Sequence, residues 1–178
     1  MRTPELETTR LYLRPPRVED AEEVFQNWTS DGEVTRYLRW TTHKSPEETK
    51  EWLALEERYL ESDKRYQWVF VHKETGRLIG SGGFIWNEER NMFELGYVFM
   101  RDFWGQGLAT EAGRAMVDFA VNTLGLRTLF ARHAKQNTAS GRVLEKLGFA
   151  YQCDGACRTF DGSVTLESRD YILTVPEP

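Results

Sequence analysis

Positive charge is in short supply in this chain. Across 178 residues, 23 lysines and arginines stand against 28 aspartates and glutamates, a net charge of −5. A general binder of nucleic-acid backbones would be basic, so no nucleic-acid partner is expected, although a basic protein or a polyamine stays open. Cysteine is nearly absent. Cys153 and Cys157 cannot build a disulfide framework or complete a zinc site alone, so no metal is expected and a reduced, cytoplasmic setting is the default. Long apolar runs are missing too. None approaches the ~18 residues of a membrane span, and the opening MRTPELETTR lacks the apolar core of a signal peptide. No membrane partner is expected. Repeats, low-complexity tracts and long linkers are also lacking, so residues 1–178 are expected to form one domain.

What is present centres on Glu94 to Ala120, ELGYVFMRDFWGQGLATEAGRAMVDFA. Glu94 to Phe99 has the β-branched and aromatic residues of a strand. Gly105 and Gly107 then interrupt the chain around Gln106. From Leu108 the apolar residues Leu108, Ala112, Ala115, Met116, Phe119 and Ala120 fall on one helical stripe. Glycines directly before a helix expose its first N–H groups, which have no partner within the helix. Together with the positive end of the helix dipole they make an anion site suited to phosphate. A Walker loop, GxxxxGK followed by Ser or Thr, does not occur. The dinucleotide fingerprint GxGxxG fails at its third glycine, because the run is Gly105-Gln106-Gly107-Leu108-Ala109-Thr110.

Around this centre the chain alternates strands and helices. Arg10 to Arg14 is a short strand ended by Pro15-Pro16, and Ala21, Val24, Phe25 and Trp28 mark a first helix. Ser45-Pro46-Glu47-Glu48 opens a second, whose stripe is Trp52, Leu53, Leu55, Tyr59 and Leu60. Strands follow at Gln67 to His72 and Leu78 to Trp86, with a bulge expected at Gly82-Gly83. After the central helix come a strand at Thr128 to His133 and a helix at Asn137 to Leu147. Phe149 to Phe160 and Val164 to Leu173 then flank the turn signal Asp161-Gly162. The sum is β-α-α-β-β-β-α-β-α-β-β, an α/β pattern. Edge strands near the C-terminal hairpin leave a homodimer possible.

The glycine turn resembles the pyrophosphate loop of the GNAT acetyltransferase superfamily. The pattern (Gln/Arg)-x-x-Gly-x-(Gly/Ala) maps onto Trp104, Gly107 and Ala109, with Trp104 departing from consensus. Two further patches are similar to the ribosomal-protein alanine N-acetyltransferase branch. One is Asn137-x-x-Ser140 leading into Val143-Leu144-Glu145-Lys146-Leu147-Gly148-Phe149; the other is the opening TxRLxLRP. The resemblance implies the acyl-CoA N-acyltransferase fold: a single mixed, mostly antiparallel sheet with splayed central parallel strands and flanking helices. It implies acetyl-CoA as co-substrate and direct transfer to an amine, either a protein N-terminus or a small amine such as a polyamine, an aminoglycoside or an amino-acid-like compound. A non-catalytic CoA-binding regulator is the other reading.

The same resemblance suggests roles. Gly105, Gln106, Gly107, Leu108, Ala109 and Thr110 would hold the pyrophosphate through main-chain N–H groups, with Glu111 required to point away or be paired. Val98, Phe99 and Met100 would pair with the pantetheine arm in a gap where strands splay near Tyr97 and Leu129. Glu94 is the candidate base, or else an exposed acid at a strand end. Ser140 is the candidate proton donor to the leaving thiolate, with Tyr151 second. Asn137 either caps a helix or contacts the cofactor. His133, Cys153, Cys157, Trp40, Phe84 and Trp86 are expected to be packing residues. The attacking amine must be neutral, which costs an α-amine of pKa ~8 about 1.4 kcal/mol at pH 7 and a lysine nearly 5 kcal/mol. An N-terminal acceptor therefore needs only a modest base.

Overall fold

The computed structural model describes residues 1–176. Strand β1 (Leu6–Glu7) leads into β2 (Leu11–Arg14), whose Leu11 and Leu13 are fully buried. The predicted first helix is broken. It becomes a 3₁₀ turn at Val18–Asp20, α1 (Ala21–Val24), a π turn at Phe25–Thr29 and then α2 (Gly32–Thr35). Asp20 explains the broken start, since its carboxylate accepts two hydrogen bonds from Arg14 (2.7 and 2.8 Å) and one from the Arg17 N–H. The π turn is the hydrogen bond from the Ser30 N–H to the Phe25 carbonyl, five residues back. Helix α3 (Pro46–Arg58) starts at the predicted proline.

The meander β3 (Arg65–His72), β4 (Leu78–Asn87) and β5 (Met92–Phe99) follows as predicted. The bulge lies elsewhere. Register is regular at Gly82↔Trp68 and Gly83↔Gln67, and the extra residue is Ile79, between the pairs Phe70↔Gly80 and Val71↔Leu78. Gly82 instead makes room: a Cβ there would stand 2.8 Å from both the Phe70 ring and the Gly96 carbonyl. Helix α4 (Leu108–Asn122), β6 (Thr128–Ala134), α5 (Thr138–Lys146), β7 (Ala150–Arg158) and β8 (Thr165–Thr174) complete the chain.

The eight strands of the described residues lie in one sheet, ordered β1-β2-β3-β4-β5-β6-β8-β7. Every pairing is antiparallel except β5 with β6, which needs α4 as its crossover. One face carries α4 and α5 on Trp68, Phe70, Phe84, Phe93, Leu95 and Leu129. The other carries Val24, Trp28 and Leu53 of the early helices on Val69, Leu78 and Val98. The sheet is therefore buried on both faces near its centre, as a parallel pair requires. The parallel ladder is short: it holds Phe93↔Leu129, Glu94↔Phe130 and Leu95↔Ala131 and then stops. Beyond it β5 stays with β4 as far as Phe99, and β6 stays with β8 as far as Ala134. A gap thus opens past Leu95 and Ala131. Leu129 is still paired, so the splay starts later than the sequence suggested.

Candidate functional site: a glycine nest beside a gap in the sheet

The gap is bordered by the start of α4. Gly105 and Gly107 take φ of 73° and 78°, left-handed values at which an L side chain is strained. Gly107 is the N-cap of α4 and supplies no side-chain cap. Among the described residues, no protein acceptor takes the N–H groups of Gly105 through Thr110. The first bond of the series is Glu111 N–H to the Gly107 carbonyl, at 3.1 Å. Alternating left-handed residues aim successive N–H groups into one concavity, an anion-binding nest. A Cβ on Gly105 would meet nothing within 4 Å, so the approach is open. This donor set, ending in a helix N-terminus, fits a diphosphate. Buried Leu108 and Thr110 anchor it.

Glu111 would oppose an anion there, but it is fully engaged elsewhere. Its carboxylate accepts from the Thr8 hydroxyl (2.6 Å), the Arg10 N–H (2.7 Å) and Arg10 Nε (2.7 Å). Arg10 also donates to the Gln106 carbonyl at 2.9 Å, tying the loop to β2. Burial alone would raise the Glu111 pKa; the hydrogen bonds from Thr8 and Arg10, with the Arg10 charge, outweigh it and hold the group below its ordinary 4.5. A depressed carboxylate stabilises the fold fully above its unfolded value and loses that contribution as pH falls through the folded one. Wild type should therefore lose more thermal stability than Glu111→Gln between pH 5 and pH 3. Parallel losses in melts at the two pH values would contradict this.

Main-chain groups on β5 alternate sides of the strand. The Met100 N–H donates to the Ile79 carbonyl at 2.7 Å, so Met100 and, two residues before it, Val98 face β4. Tyr97 and Phe99 face the gap. The Phe99 carbonyl already accepts from Trp104 Nε1 at 2.7 Å, while the Trp104 ring is 50% exposed. Of the three residues expected to pair with a ligand, only Phe99 offers the gap a main-chain group, its N–H. Tyr97 adds another N–H and a carbonyl.

Tyr97 is the residue that sequence reasoning missed. Its hydroxyl lies 2.9 Å from Ser140 Oγ and 3.3 Å from the Ser140 carbonyl, joining β5 to α5 across the gap. Burial pushes the phenol up to about 12, the hydrogen bond with Ser140 pulling slightly the other way, so it keeps its proton at neutral pH. Asn137 is the N-cap of α5, its Oδ1 accepting from the Ser140 N–H at 3.3 Å. His133 is a packing residue as expected, buried, with Nδ1 2.7 Å from the Ala134 carbonyl. Tyr151 is 52% exposed, and its hydroxyl donates to Asp154.

Glu94 lies on the opposite face from Tyr97, three residues earlier and about 10 Å along the strand. It is not an exposed strand-end acid: its side chain is 16% exposed and accepts from Asn87 Nδ2 at 2.7 Å. Arg39 and Arg132 each stand 3.9 Å from one of its oxygens. The gap is thus flanked by a carboxylate on one face and a hydroxyl pair on the other. Phe84 is core, Trp86 packs edge-on against Phe93, and Trp40 packs on His43 and the early helices. Cys157 is buried as expected; Cys153 is exposed, because the first half of edge strand β7 has no layer over it. No described helix is long and apolar enough to cross a membrane.

Comparison with known proteins agrees with this geometry. A family model described as an acetyltransferase (GNAT) domain matches residues 10–150. An uncharacterized N-acetyltransferase, p20, of Bacillus licheniformis is 31% identical over 157 residues, covering 88% of this chain and 86% of that protein. Among solved structures, a putative ribosomal-protein-serine acetyltransferase from Vibrio cholerae superposes with a TM-score of 0.83 at 21% identity, over 97% of this chain and 99% of that one. RimL, a ribosomal L7/L12 α-N-protein acetyltransferase in complex with coenzyme A, gives 0.81 at 15% identity, over 97% and 98%. The splayed parallel strands, the glycine nest and these matches together place the chain in the GNAT family of N-acetyltransferases.

Proposed function

We propose that this chain transfers the acetyl group of acetyl-CoA directly to a primary amine, and that the amine is a protein N-terminal α-amine. The observation that carries the reading is the run of N–H groups from Gly105 through Thr110, without partners among the described residues, beside the gap past Leu95 and Ala131. Acetyl-CoA, when bound, supplies an activated thioester and a thiolate leaving group.

The residues divide the remaining work. The nest from Gly105 to Thr110 holds the diphosphate, and the free N–H groups of Tyr97 and Phe99 hold the pantetheine arm along β5. Asn137 keeps Ser140 in place by capping α5. Ser140, oriented by Tyr97, gives a proton to the departing sulfur while the new C–N bond forms and the C–S bond breaks, and is reprotonated by the second proton that the acetylated nitrogen sheds. Glu94, on the acceptor face, takes the ammonium by charge and hydrogen bond, and the amine proton leaves through it to water. No strong base is required if the acceptor is an α-amine, which is about one-tenth neutral at pH 7, against about one lysine in 2,500. That difference supports an N-terminal over a lysine acceptor.

Thiol release from acetyl-CoA should be supported by peptides with a free α-amine and should fall at least about tenfold for α-blocked peptides whose only amine is lysine. Equal rates with the two would remove the N-terminal assignment. No release with any amine would remove acetyl transfer.

A further inference from the structure

The acceptor face carries more positive charge than the rest of the chain would suggest. Arg39, Arg90 and Arg132 gather around only two acids, Glu94 and Asp170, in a protein whose net charge is −5. They come from separate elements: Arg39 from the segment between α2 and α3, Arg90 from the β4–β5 turn and Arg132 from β6. Phe130 sits between two of them, with the Arg90 and Arg132 guanidiniums 5.1 and 4.8 Å from its ring centre. Arg39 lies over the Phe160 ring at 4.7 Å, and its carbonyl accepts from the Phe160 N–H at 2.7 Å, so the hairpin tip walls one side.

The donors are not all spent. Asp170, 2% exposed, accepts from Arg90 at 2.6 Å, Arg132 Nη2 at 3.4 Å and the Ser168 hydroxyl at 3.2 Å. Arg132 Nε, by contrast, is buried and has no acceptor among the described residues, on a side chain only 10% exposed. Its nearest acid oxygen, on Glu94, is 3.9 Å away, too far for a hydrogen bond. A buried guanidinium N–H without a partner is costly, and its unmet demand is for an anionic or carbonyl oxygen. Arg39 stands the same 3.9 Å from the other Glu94 oxygen, and both Arg39 and Arg90 are more than a third exposed. An amine held by Glu94 would therefore lie within a few ångströms of guanidinium groups with donors to spare.

We infer that the acceptor carries a carboxylate close to its reacting amine, and that Arg39, Arg90 and Arg132 select it. This rests on the acetyl-transfer reading above and narrows it to one substrate class: peptides with an acidic residue next to the N-terminus. Glu94 takes the ammonium, the exposed donors of Arg39 and Arg90 take the acidic side chain, and Arg132 adds its positive charge from behind them. The two opposite charges of such an acceptor match the two signs of charge on this face.

The test uses two peptide amides, Ala-Asp-Ala and Ala-Asn-Ala, with wild-type protein and with Arg39→Gln and Arg90→Gln. Thiol release gives kcat/KM for each, and calorimetric titration gives binding without turnover. Charge-assisted hydrogen bonds lead us to expect a preference for the aspartyl peptide of about tenfold or more, collapsing toward unity in either variant. Equal kcat/KM and equal affinity in wild type would overturn the inference and leave acetyl transfer standing. Selective binding of the aspartyl peptide with no thiol release would keep the carboxylate site and remove acetyl transfer. No binding and no turnover of either would remove both. The wild-type comparison needs no variant, so a misfolded variant cannot mask the answer.

Discussion

Gly107→Glu should abolish acetyl-CoA binding. Gly107 sits at φ 78°, where a residue with a Cβ is strained by about 1–2 kcal/mol. That strain alone would weaken the loop without emptying it. The larger effect is a carboxylate placed among the N–H groups of Gly105 to Thr110, in direct competition with a diphosphate. Losing even two charge-assisted hydrogen bonds, at ~1.5–3 kcal/mol each, costs more than about 100-fold in affinity. Gly107→Ala separates the two causes, since its Cβ would meet only Arg10 at 3.7 Å and carries no charge. Calorimetry should rank wild type above Gly107→Ala and both far above Gly107→Glu, with melting curves checking that each variant is folded. An unchanged affinity in folded Gly107→Glu would put the phosphate site elsewhere.

The second large effect is expected at Ser140 and Tyr97. Ser140→Ala should lower kcat by about 10²-fold, the lower range for a lost proton donor, while acetyl-CoA affinity barely moves. Tyr97→Phe removes the hydroxyl 2.9 Å from Ser140 Oγ and should lower kcat less, since the serine remains but loses its orientation. The double variant should be little worse than Ser140→Ala alone, because the two act as one unit. With the phenol pushed up to about 12, wild type should show no loss of activity from its ionisation below about pH 10. A parallel fall in affinity and kcat for Ser140→Ala would make it a binding residue instead.

Much of this site is local in sequence, and that part was legible. The strand, glycine turn and helix from Glu94 to Ala120 each follow from side-chain period and glycine chemistry within a few residues. Helix α5 and the Asp161-Gly162 hairpin announce themselves the same way. What escaped depends on contacts between distant positions. The engagement of Glu111 needs Thr8 and Arg10, over a hundred residues earlier. The broken first helix is nearer in sequence but equally hidden: it follows from Arg14 holding Asp20, six residues on, an ion pair that side-chain period does not report. A glycine pair signals either a bulge or a close approach; at Gly82-Gly83 it is the close approach of Phe70, and the bulge lies at Ile79. Tyr97 looked like one more strand aromatic; only the placement of α5 gives its hydroxyl a partner. The arginine cluster was invisible for the same reason, being assembled from a loop, a turn and a strand.

In the proposed function, main-chain donors at the start of α4 hold the diphosphate of the acetyl donor. Amide proton and nitrogen shifts measured during titration with CoA test it residue by residue. Gly105 through Thr110 are expected to move most and downfield, as N–H groups gain an anionic acceptor, with Tyr97 and Phe99 moving in step. Saturable binding that leaves those amides in place, while shifting others, would contradict it.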